Sequence, residues 1–140
     1  MTDRFVPTAK GSHLAARKST DTEPEVRLRK AVHSLGLRFR LHRQVIPRCT
    51  PDFVFPAHRV AVFVDGCFWH GCPVHGRTPR TGPNAEVWSR KIQTNRDRDL
   101  RNAQDLRSAG WRVFRAWECD IRRDVMDIAI RIERLVRDSD

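Results

Sequence analysis

The chain has 140 residues, which is enough for one domain with its own hydrophobic core and too few for two ordinary domains. Its 27 lysines and arginines outnumber 17 aspartates and glutamates, and the net charge of +10 favours a polyanionic partner. Since it lacks both an apolar stretch of roughly 20 residues and the apolar core of a secretory signal, we expect a soluble cytoplasmic protein. In that compartment its four cysteines suit metal binding or catalysis better than disulfides.

The N-terminal segment is predicted to be a basic arm followed by one domain. Residues 1–20 mix basic residues with Gly, Ser and Thr without periodicity, which predicts a flexible arm ahead of a single domain over 21–140. Thr22-Glu23-Pro24-Glu25 matches a capping box that starts a helix, and Gly36 is a suitable stop. The capping box explains Glu25 without any function, so its part in catalysis would be secondary.

Three strands are predicted next, over 37–41, 52–55 and 59–64. The first alternates apolar and basic residues, which is typical of a strand with one solvated face. The short turn between the other two predicts a hairpin, and the apolar run 60–64 indicates a strand covered on both faces. We therefore expect Asp52 and Asp65 at one edge of the sheet.

The second half of the chain alternates helix, strand and helix. A long charged helix is predicted over 84–109 and ends at Gly110, followed by a strand over 111–117 and an amphipathic helix over 124–137. The whole order predicts an α/β domain in which helices pack on a mixed sheet.

The acidic residues indicate a metal-dependent nuclease. Pro51-Asp52, followed by a hairpin and by Asp65 at the end of the next strand, is the layout of PD-(D/E)xK nucleases. Hard oxygen ligands suit Mg²⁺, which neutralises charge on a phosphodiester and helps to form the attacking hydroxide. Taken alone, Pro-Asp is also common in simple turns.

A cluster of cysteines and histidines indicates zinc. Cys67, Cys72 and His75 fall in one short segment, and Cys119 follows the last strand. Thiolates and imidazole in this number suit a tetrahedral structural Zn²⁺, although a core thiol at Cys119 and a plain loop are the alternative. Cys49 has no such neighbourhood and is predicted to be an ordinary thiol.

The aromatic and histidine residues beside this cluster leave several roles open. Phe68, Trp69 and Trp88 could enter a base stack, although aromatic residues are more often part of a core. His70 could be a structural histidine, a zinc ligand or a base. The charged run 95–99 is mostly a solvated face, but one carboxylate there could orient an imidazole.

Taken together, five segments resemble the very-short-patch-repair DNA mismatch endonucleases. They are Asp21-Thr22-Glu23-Pro24-Glu25, Pro51-Asp52-Phe53-Val54, Phe63-Val64-Asp65-Gly66-Cys67-Phe68-Trp69-His70, Asn95-Arg96-Asp97-Arg98-Asp99, and Gly110-Trp111-Arg112-Val113 with Trp117-Glu118-Cys119. The resemblance covers all but the ends of the chain. It implies a restriction-endonuclease-like fold and Mg²⁺-dependent nicking of one strand, 5′ of the thymine in a T·G mispair left by deaminated 5-methylcytosine.

The resemblance also implies catalytic roles. Asp52 would be the Mg²⁺ carboxylate, with the Val64 backbone carbonyl as the second protein ligand. His70 would be the general base for water, oriented by Asp99. Two further acids would support the site: Asp65, where some relatives have His, and Glu25. The lysine of the PD-(D/E)xK pattern is replaced by cysteine, and a histidine base fills the gap.

The remaining implied roles concern zinc and DNA. Zinc would be held by Cys67, Cys72, His75 and Cys119. DNA would be contacted by five residues: the intercalating Phe68, Trp69 and Trp88, Leu14 of the basic arm in the other groove, and Lys91.

The predicted partner is double-stranded DNA containing a T·G mispair, bound by a monomer that is associated with the nucleoid. One alternative is a PD-(D/E)xK nuclease with another DNA target. The other is a zinc-stabilised DNA-binding module without catalysis, which would have no need of Asp52, His70 and Asp99.

Overall fold

A four-stranded mixed sheet forms the centre of the computed structural model, which describes residues 21–67 and 85–138 without the side chain of Trp88. The strands lie side by side in chain order: β1 (Arg40–Leu41), β2 (Phe53–Phe55), β3 (Val60–Asp65) and β4 (Arg112–Trp117). The pairs β1–β2 and β2–β3 are antiparallel, whereas β3 and β4 are parallel. The predicted mixed α/β fold is confirmed.

In the part of the chain that the structure describes, four α-helices flank this sheet: α1 (Glu23–Ser34), α2 (Ala85–Ser108), α3 (Glu118–Arg123) and α4 (Val125–Arg137). Left-handed glycines end α1 and α2 as predicted, with φ of +87° at Gly36 and +88° at Gly110. Within the described ranges, the helices lack the length and apolar character needed to cross a bilayer.

The alternation of side chains along the strands divides the core into two layers. Phe53, Phe55, Val60 and Val62 face α1, α3 and α4, where they pack with residues such as Ile132. The intervening positions face α2: Val54 and Ala61 pack with Leu106, and Phe63 and Val113 border them. Val60, Ala61 and Val62 are fully buried, which confirms the prediction of a strand covered on both faces.

The first predicted strand is shorter than expected. Only Arg40–Leu41 of the predicted 37–41 pairs with β2, because β2 ends after Phe55, where Pro56 begins a 3₁₀ turn and offers no N–H. Phe39 instead packs its ring against Phe53, with centroids 5.0 Å apart.

Helix α3 was not predicted. Its six residues follow β4 directly, and so short a segment shows no helical period, although Ile121 on it is completely buried. Asp124 then separates α3 from α4 and caps α4, since its carboxylate accepts the N–H of Asp127 at 3.1 Å. The amphipathic face predicted for 124–137 is confirmed by buried Ile128, Ala129, Ile132 and Val136.

Several predicted elements lie outside the described residues. They are the basic arm over 1–20 with Leu14, and the segment 68–84 with Phe68, Trp69, His70, Cys72 and His75.

Two leucines on α2 provide a test of this packing. Leu106 is 0% exposed against the sheet, whereas Leu100 is 63% exposed. We expect Leu106→Ala to lower the free energy of unfolding by about 2–5 kcal/mol, because it leaves a cavity between α2 and the sheet. Leu100→Ala should change it by less than about 0.5 kcal/mol. Urea unfolding of both variants measures the difference, and equal losses would contradict the placement of α2.

Candidate active site

Strand pairing places Asp52 beside the end of β3. Its N–H donates to the Val62 carbonyl at 3.0 Å, and its carboxylate accepts the N–H of Val64 at 2.6 Å. Because the N–H and C=O of one strand residue point to the same side of the strand, the Val64 carbonyl also faces Asp52. Asp65 lies one residue further along β3, so the prediction that Asp52 and Asp65 share one edge is confirmed.

Asp65 is held by an arginine from the neighbouring strand. Asp65 is buried, with 4% of its surface exposed, and both carboxylate oxygens accept from Arg115 Nη1, at 3.1 and 3.3 Å. The guanidinium supplies the opposite charge that a buried carboxylate needs. Asp65 therefore has a fixed ion-pair partner on β4.

Asp99 of α2 also contacts Arg115. Arg115 Nη2 donates to the Asp99 backbone carbonyl at 3.3 Å, and Arg115 Nη1 lies 3.6 Å from its carboxylate. Asp52, Asp65 and Asp99 line one open cavity of about 360 Å³. The other lining residues are Arg48, Thr50, Phe63, Val64, Arg98, Asn102 and Arg115. The structure thus brings together three of the acids that the sequence singled out.

Glu25 does not act as the predicted capping-box residue. The Thr22 side chain makes no cap hydrogen bond, and Glu25 Oε2 accepts the N–H of Asp21 at 2.9 Å rather than that of Thr22. Glu25 is 1% exposed, and its other oxygen accepts from Arg29 at 3.1 Å. The capping-box explanation of Glu25 is wrong, because neither hydrogen bond of the box forms and the carboxylate binds Asp21 N–H and Arg29 instead.

Asp21, Glu25 and His42 form a group that could hold a metal ion, with one ligand atom from each lying within 4.8 Å of the others. Arg29 already contacts both carboxylates, at 2.8 Å from Asp21 and 3.1 Å from Glu25. Hydrogen bonds from Arg29 and then from His42 lower the pKa of Asp21. Part of the negative charge of this group is therefore balanced within the chain.

The sequence did not single out His42 or Arg115. His42 has a left-handed φ of +46° and donates its N–H to the Asp52 carbonyl at 3.2 Å. The pairing of Leu41 with Phe53 places it there, and only a known register would have revealed it. Arg115 carried a weak signal, since it is a charged residue in the otherwise apolar run Val113–Trp117.

The surroundings of Asp52 disfavour the charged form of its carboxylate. The pKa of Asp52 is raised to about 7, mainly because the carboxylate is buried. The hydrogen bond from the N–H of Val64 lowers this pKa, whereas the charges of Glu25 and Asp65 raise it. A cation at this position would reverse the effect. The electrostatics of Asp52 therefore suit a metal ligand.

Two of the predicted zinc ligands lie at matching distances beyond the ends of the parallel strands β3 and β4. Asp65 pairs with Trp117, and Cys67 and Cys119 each follow two residues later. Cys67 is buried and Cys119 is half-buried. Cys49 lies in the core beside α2, where burial raises the pKa of its thiol, as expected of an ordinary core cysteine.

Comparison with known proteins identifies close relatives. Residues 2–75 match the family model described as DNA mismatch endonuclease Vsr. The type II nicking enzyme V.XorIIP of Xanthomonas oryzae pv. oryzae is 44% identical over 123 residues, which cover 86% of this chain and 88% of that protein. The DNA mismatch endonuclease Vsr of Escherichia coli K12 is 36% identical over 124 residues, covering 87% and 77% of the two chains.

The fold has a relative among solved structures as well. The catalytic domain of the homing endonuclease I-Bth0305I matches with a TM-score of 0.56 and 18% identity, covering 85% of this chain and 98% of that domain. At this identity the likeness concerns the fold alone.

The acidic cavity and the nicking-enzyme relatives define a DNA endonuclease, a hydrolase whose partner is DNA. The chain belongs to the Vsr family of DNA mismatch endonucleases. This membership confirms the predicted enzyme class over the alternative of a DNA-binding module without catalysis.

The raised pKa of Asp52 predicts a pH-dependent effect on stability. Between the ordinary value of 3.8 and about 7, the folded protein binds the Asp52 proton more tightly than the unfolded chain does. Stability is therefore lost as pH rises through this window. In Mg²⁺-free buffer, we expect Asp52→Asn to raise the melting temperature at pH 8 by roughly 5 °C relative to the unsubstituted protein, and far less near pH 4.

Differential scanning fluorimetry across pH measures this shift, with Asp97→Asn as the control because Asp97 is an exposed residue of α2. The control should give the same small difference at both pH values. A fall in the melting temperature of Asp52→Asn at pH 8 would contradict the electrostatic account of Asp52.

Proposed function

We propose that this endonuclease nicks one strand of double-stranded DNA on the 5′ side of the thymine in a T·G mispair, with Mg²⁺ as cofactor. The observation that carries the proposal is the cavity shared by Asp52, Asp65 and Asp99 in a chain of the Vsr family. The relative from Escherichia coli is named a DNA mismatch endonuclease, which supports mismatched DNA as the substrate.

Asp52 and the Val64 carbonyl are the proposed Mg²⁺ ligands. Their oxygens are hard donors on one side of β3. Burial, and to a smaller extent the charges of Glu25 and Asp65, raises the pKa of Asp52, and a bound cation would stabilise its charged form. When bound, Mg²⁺ would neutralise charge on the scissile phosphate and favour hydroxide as the nucleophile. Glu25 and Asp65 would then support the site, since their charges already act on Asp52.

His70 is the proposed general base, and Asp99 is proposed to orient it. Imidazole has an unperturbed pKa near the pH of the cell, which suits removal of a proton from water. His70 lies outside the described residues, five positions after the end of β3, while Asp99 lines the cavity beside that strand end. The position of Asp99 in the cavity supports this proposed role as the acceptor for the imidazole N–H.

DNA binding would involve both charge and intercalation. Arg48 and Arg98 line the cavity and could contact phosphates next to the scissile bond. Lys91 is exposed on α2, ahead of Asp99. The remaining proposed contacts are intercalation by Phe68, Trp69 and Trp88, and insertion of Leu14 from a basic arm over 1–20. We propose that the single domain over 21–140 acts as a monomer on nucleoid DNA in the cytoplasm.

A nicking assay tests the substrate. Duplexes with T·G, C·G or T·A at one position and a shared library of randomised flanks are incubated with and without Mg²⁺, and nicks are mapped by sequencing. We expect nicks 5′ of the mispaired thymine, at least roughly tenfold faster than on matched duplexes, because a mispair costs less to unstack. Omitting Mg²⁺ should abolish them. Equal nicking of all three duplexes would point to the alternative of a nuclease with another DNA target.

Variants then test the roles of the residues in the same assay. Asp52→Ala should abolish nicking and retain mismatch binding, because its carboxylate serves the metal rather than the duplex. His70→Ala should lose about 10²–10⁴-fold in single-turnover rate. Asp99→Asn should lose less, and should add little once His70 is replaced, since the two would act as one unit. Asp97→Asn, on the same helix, is the control.

We propose in addition a structural Zn²⁺ bound by Cys67, Cys72, His75 and Cys119. The matching positions of Cys67 and Cys119 beyond the paired ends of β3 and β4 support two of these ligands. Thiolates suit zinc better than magnesium, so the two metals would be sorted by ligand type. Zinc would fasten the chain that follows β3 to the start of α3.

We expect one zinc per chain by elemental analysis of the purified protein. Cys67→Ser and Cys119→Ser should each lose the metal and unfold at a lower temperature, because structural zinc contributes directly to folding. Cys49→Ala is the matched control, since Cys49 is a buried thiol of the core beside α2 and its replacement should leave the zinc in place. Full zinc content in Cys67→Ser would contradict the assignment.

A further inference from the structure

Arg115 connects three elements at the wall of the acidic cavity. From β4 it binds Asp65 at the end of β3 through Nη1, and the backbone carbonyl of Asp99 on α2 through Nη2. We propose that Arg115 is the positioning residue of this site, a proposal that rests on the nicking function proposed above. By holding Asp65 and Asp99 in one fixed relation, it sets where the Asp99 carboxylate stands during catalysis.

The register of β3 and β4 determines where the Arg115 guanidinium lies. Arg115 and Phe63 are register partners on the parallel strands β3 and β4, and their side chains point to the face covered by α2. The guanidinium lies over the Phe63 ring, 4.1 Å from its centroid. Stacking on the ring leaves the planar edge of the guanidinium free to donate towards Asp65 and Asp99.

The geometry requires arginine rather than lysine. Nη1 serves both carboxylate oxygens of Asp65, while Nη2 is directed to a different acceptor, the Asp99 carbonyl. A lysine has one nitrogen on a flexible stem and cannot reproduce two separately directed donors on a rigid plane. Arg115→Lys would keep the charge and lose the fixed distance between Asp65 and Asp99.

Helix α2 needs such a contact near Asp99. Leu106 packs against the sheet and Ile92 is buried near the other end of the helix, whereas Leu100, next to Asp99, is exposed. The contacts of Arg115 with Asp99 lie two turns ahead of Leu106. Arg115 therefore supplies a polar contact to the segment of α2 between Ile92 and Leu106, which carries the Asp99 carboxylate.

The buried charge of Asp65 makes the two residues interdependent. Without Arg115, Asp65 would lose the guanidinium that compensates it and would add its repulsion to Asp52 and Asp99 in the same cavity. Without Asp65, Arg115 would be free to tilt towards Asp52. Removing both charges restores the balance, so a double variant should behave better than the product of the two single changes.

A double-mutant cycle tests the proposal. Asp65→Asn, Arg115→Met and the double variant are compared in single-turnover nicking of a T·G duplex at saturating enzyme, and in nicking of supercoiled plasmid. We expect Arg115→Met to lower the rate about 10–100-fold, with DNA affinity within about twofold of that of the unsubstituted protein. The double variant should lose no more than the worse single variant, and Arg115→Lys should fall between Arg115→Met and the unsubstituted protein.

A second Arg–Asp pair supplies the control. Arg131 and Asp127 form an exposed ion pair, 3.1 Å apart, on α4 at the opposite face of the sheet. The cycle of Arg131→Met and Asp127→Asn should leave nicking unchanged and show almost no coupling, as exposed pairs do.

Several results would overturn the positioning role. They are a nicking rate for Arg115→Met within about twofold of that of the unsubstituted protein, losses for Asp65 and Arg115 that multiply, or a loss fully accounted for by the unfolded fraction. If Arg115→Met does not fold, Arg115→Lys and the double variant, which leave no unpaired buried charge, decide the matter. If the unsubstituted protein nicks plasmid but not T·G duplexes, the mispair proposal fails. The plasmid nicking rates of the variants then still test the role of Arg115.

Discussion

The antiparallel register of β2 on β3 is the constraint on which the site depends. Asp52 lies directly before β2, and its backbone N–H donates to the Val62 carbonyl of β3. Its carboxylate accepts the N–H of Val64, two residues further along β3. A slip of one residue would turn Asp52 and every apolar side chain of β2 to the other face of the sheet. The same pairing that buries Phe53 and Val54 therefore also aims the carboxylate.

Charge balance is the second organising feature. Asp65 ends β3, Asp52 and Asp99 line the same cavity, and the charge of Glu25 acts on Asp52. Arg29 pairs with Glu25, and Arg115 pairs with Asp65 and Asp99. Asp52 receives a backbone N–H, and its pKa stays raised. The arginines thus balance the supporting acids, whereas Asp52 has no arginine among the causes that set its pKa, and a bound cation would stabilise its charged form.

Features set by local patterns could be predicted from the sequence. The apolar run 60–64 gave β3, the spacing of Ile128 and Ile132 gave α4, and Gly36 and Gly110 marked two helix ends. The shared edge of Asp52 and Asp65 followed from a short turn between two strands. In each case the deciding interaction lies within a few residues along the chain, or follows from an alternation that a strand imposes.

Features set by long-range contacts could not be predicted. The sequence at Thr22 matches a capping box, yet the Thr22 side chain makes no cap hydrogen bond and Glu25 pairs with Arg29. His42 meets Asp52 only because Leu41 pairs with Phe53, and Arg115 meets Asp65 across fifty residues. Such contacts depend on strand order and register, which a single sequence does not specify.

The turn between β2 and β3 has a practical consequence. Residues Pro56–Arg59 join these strands at the end opposite Asp52 and Asp65, and Pro56, Ala57 and Arg59 are exposed. A strand rises about 3.3 Å per residue, so the length of β3 separates this turn from the acidic cavity. A fluorophore or a surface tether attached at Ala57 would lie at the end of the sheet opposite the acidic cavity. This turn is therefore a suitable attachment site for single-molecule measurements of DNA binding and release.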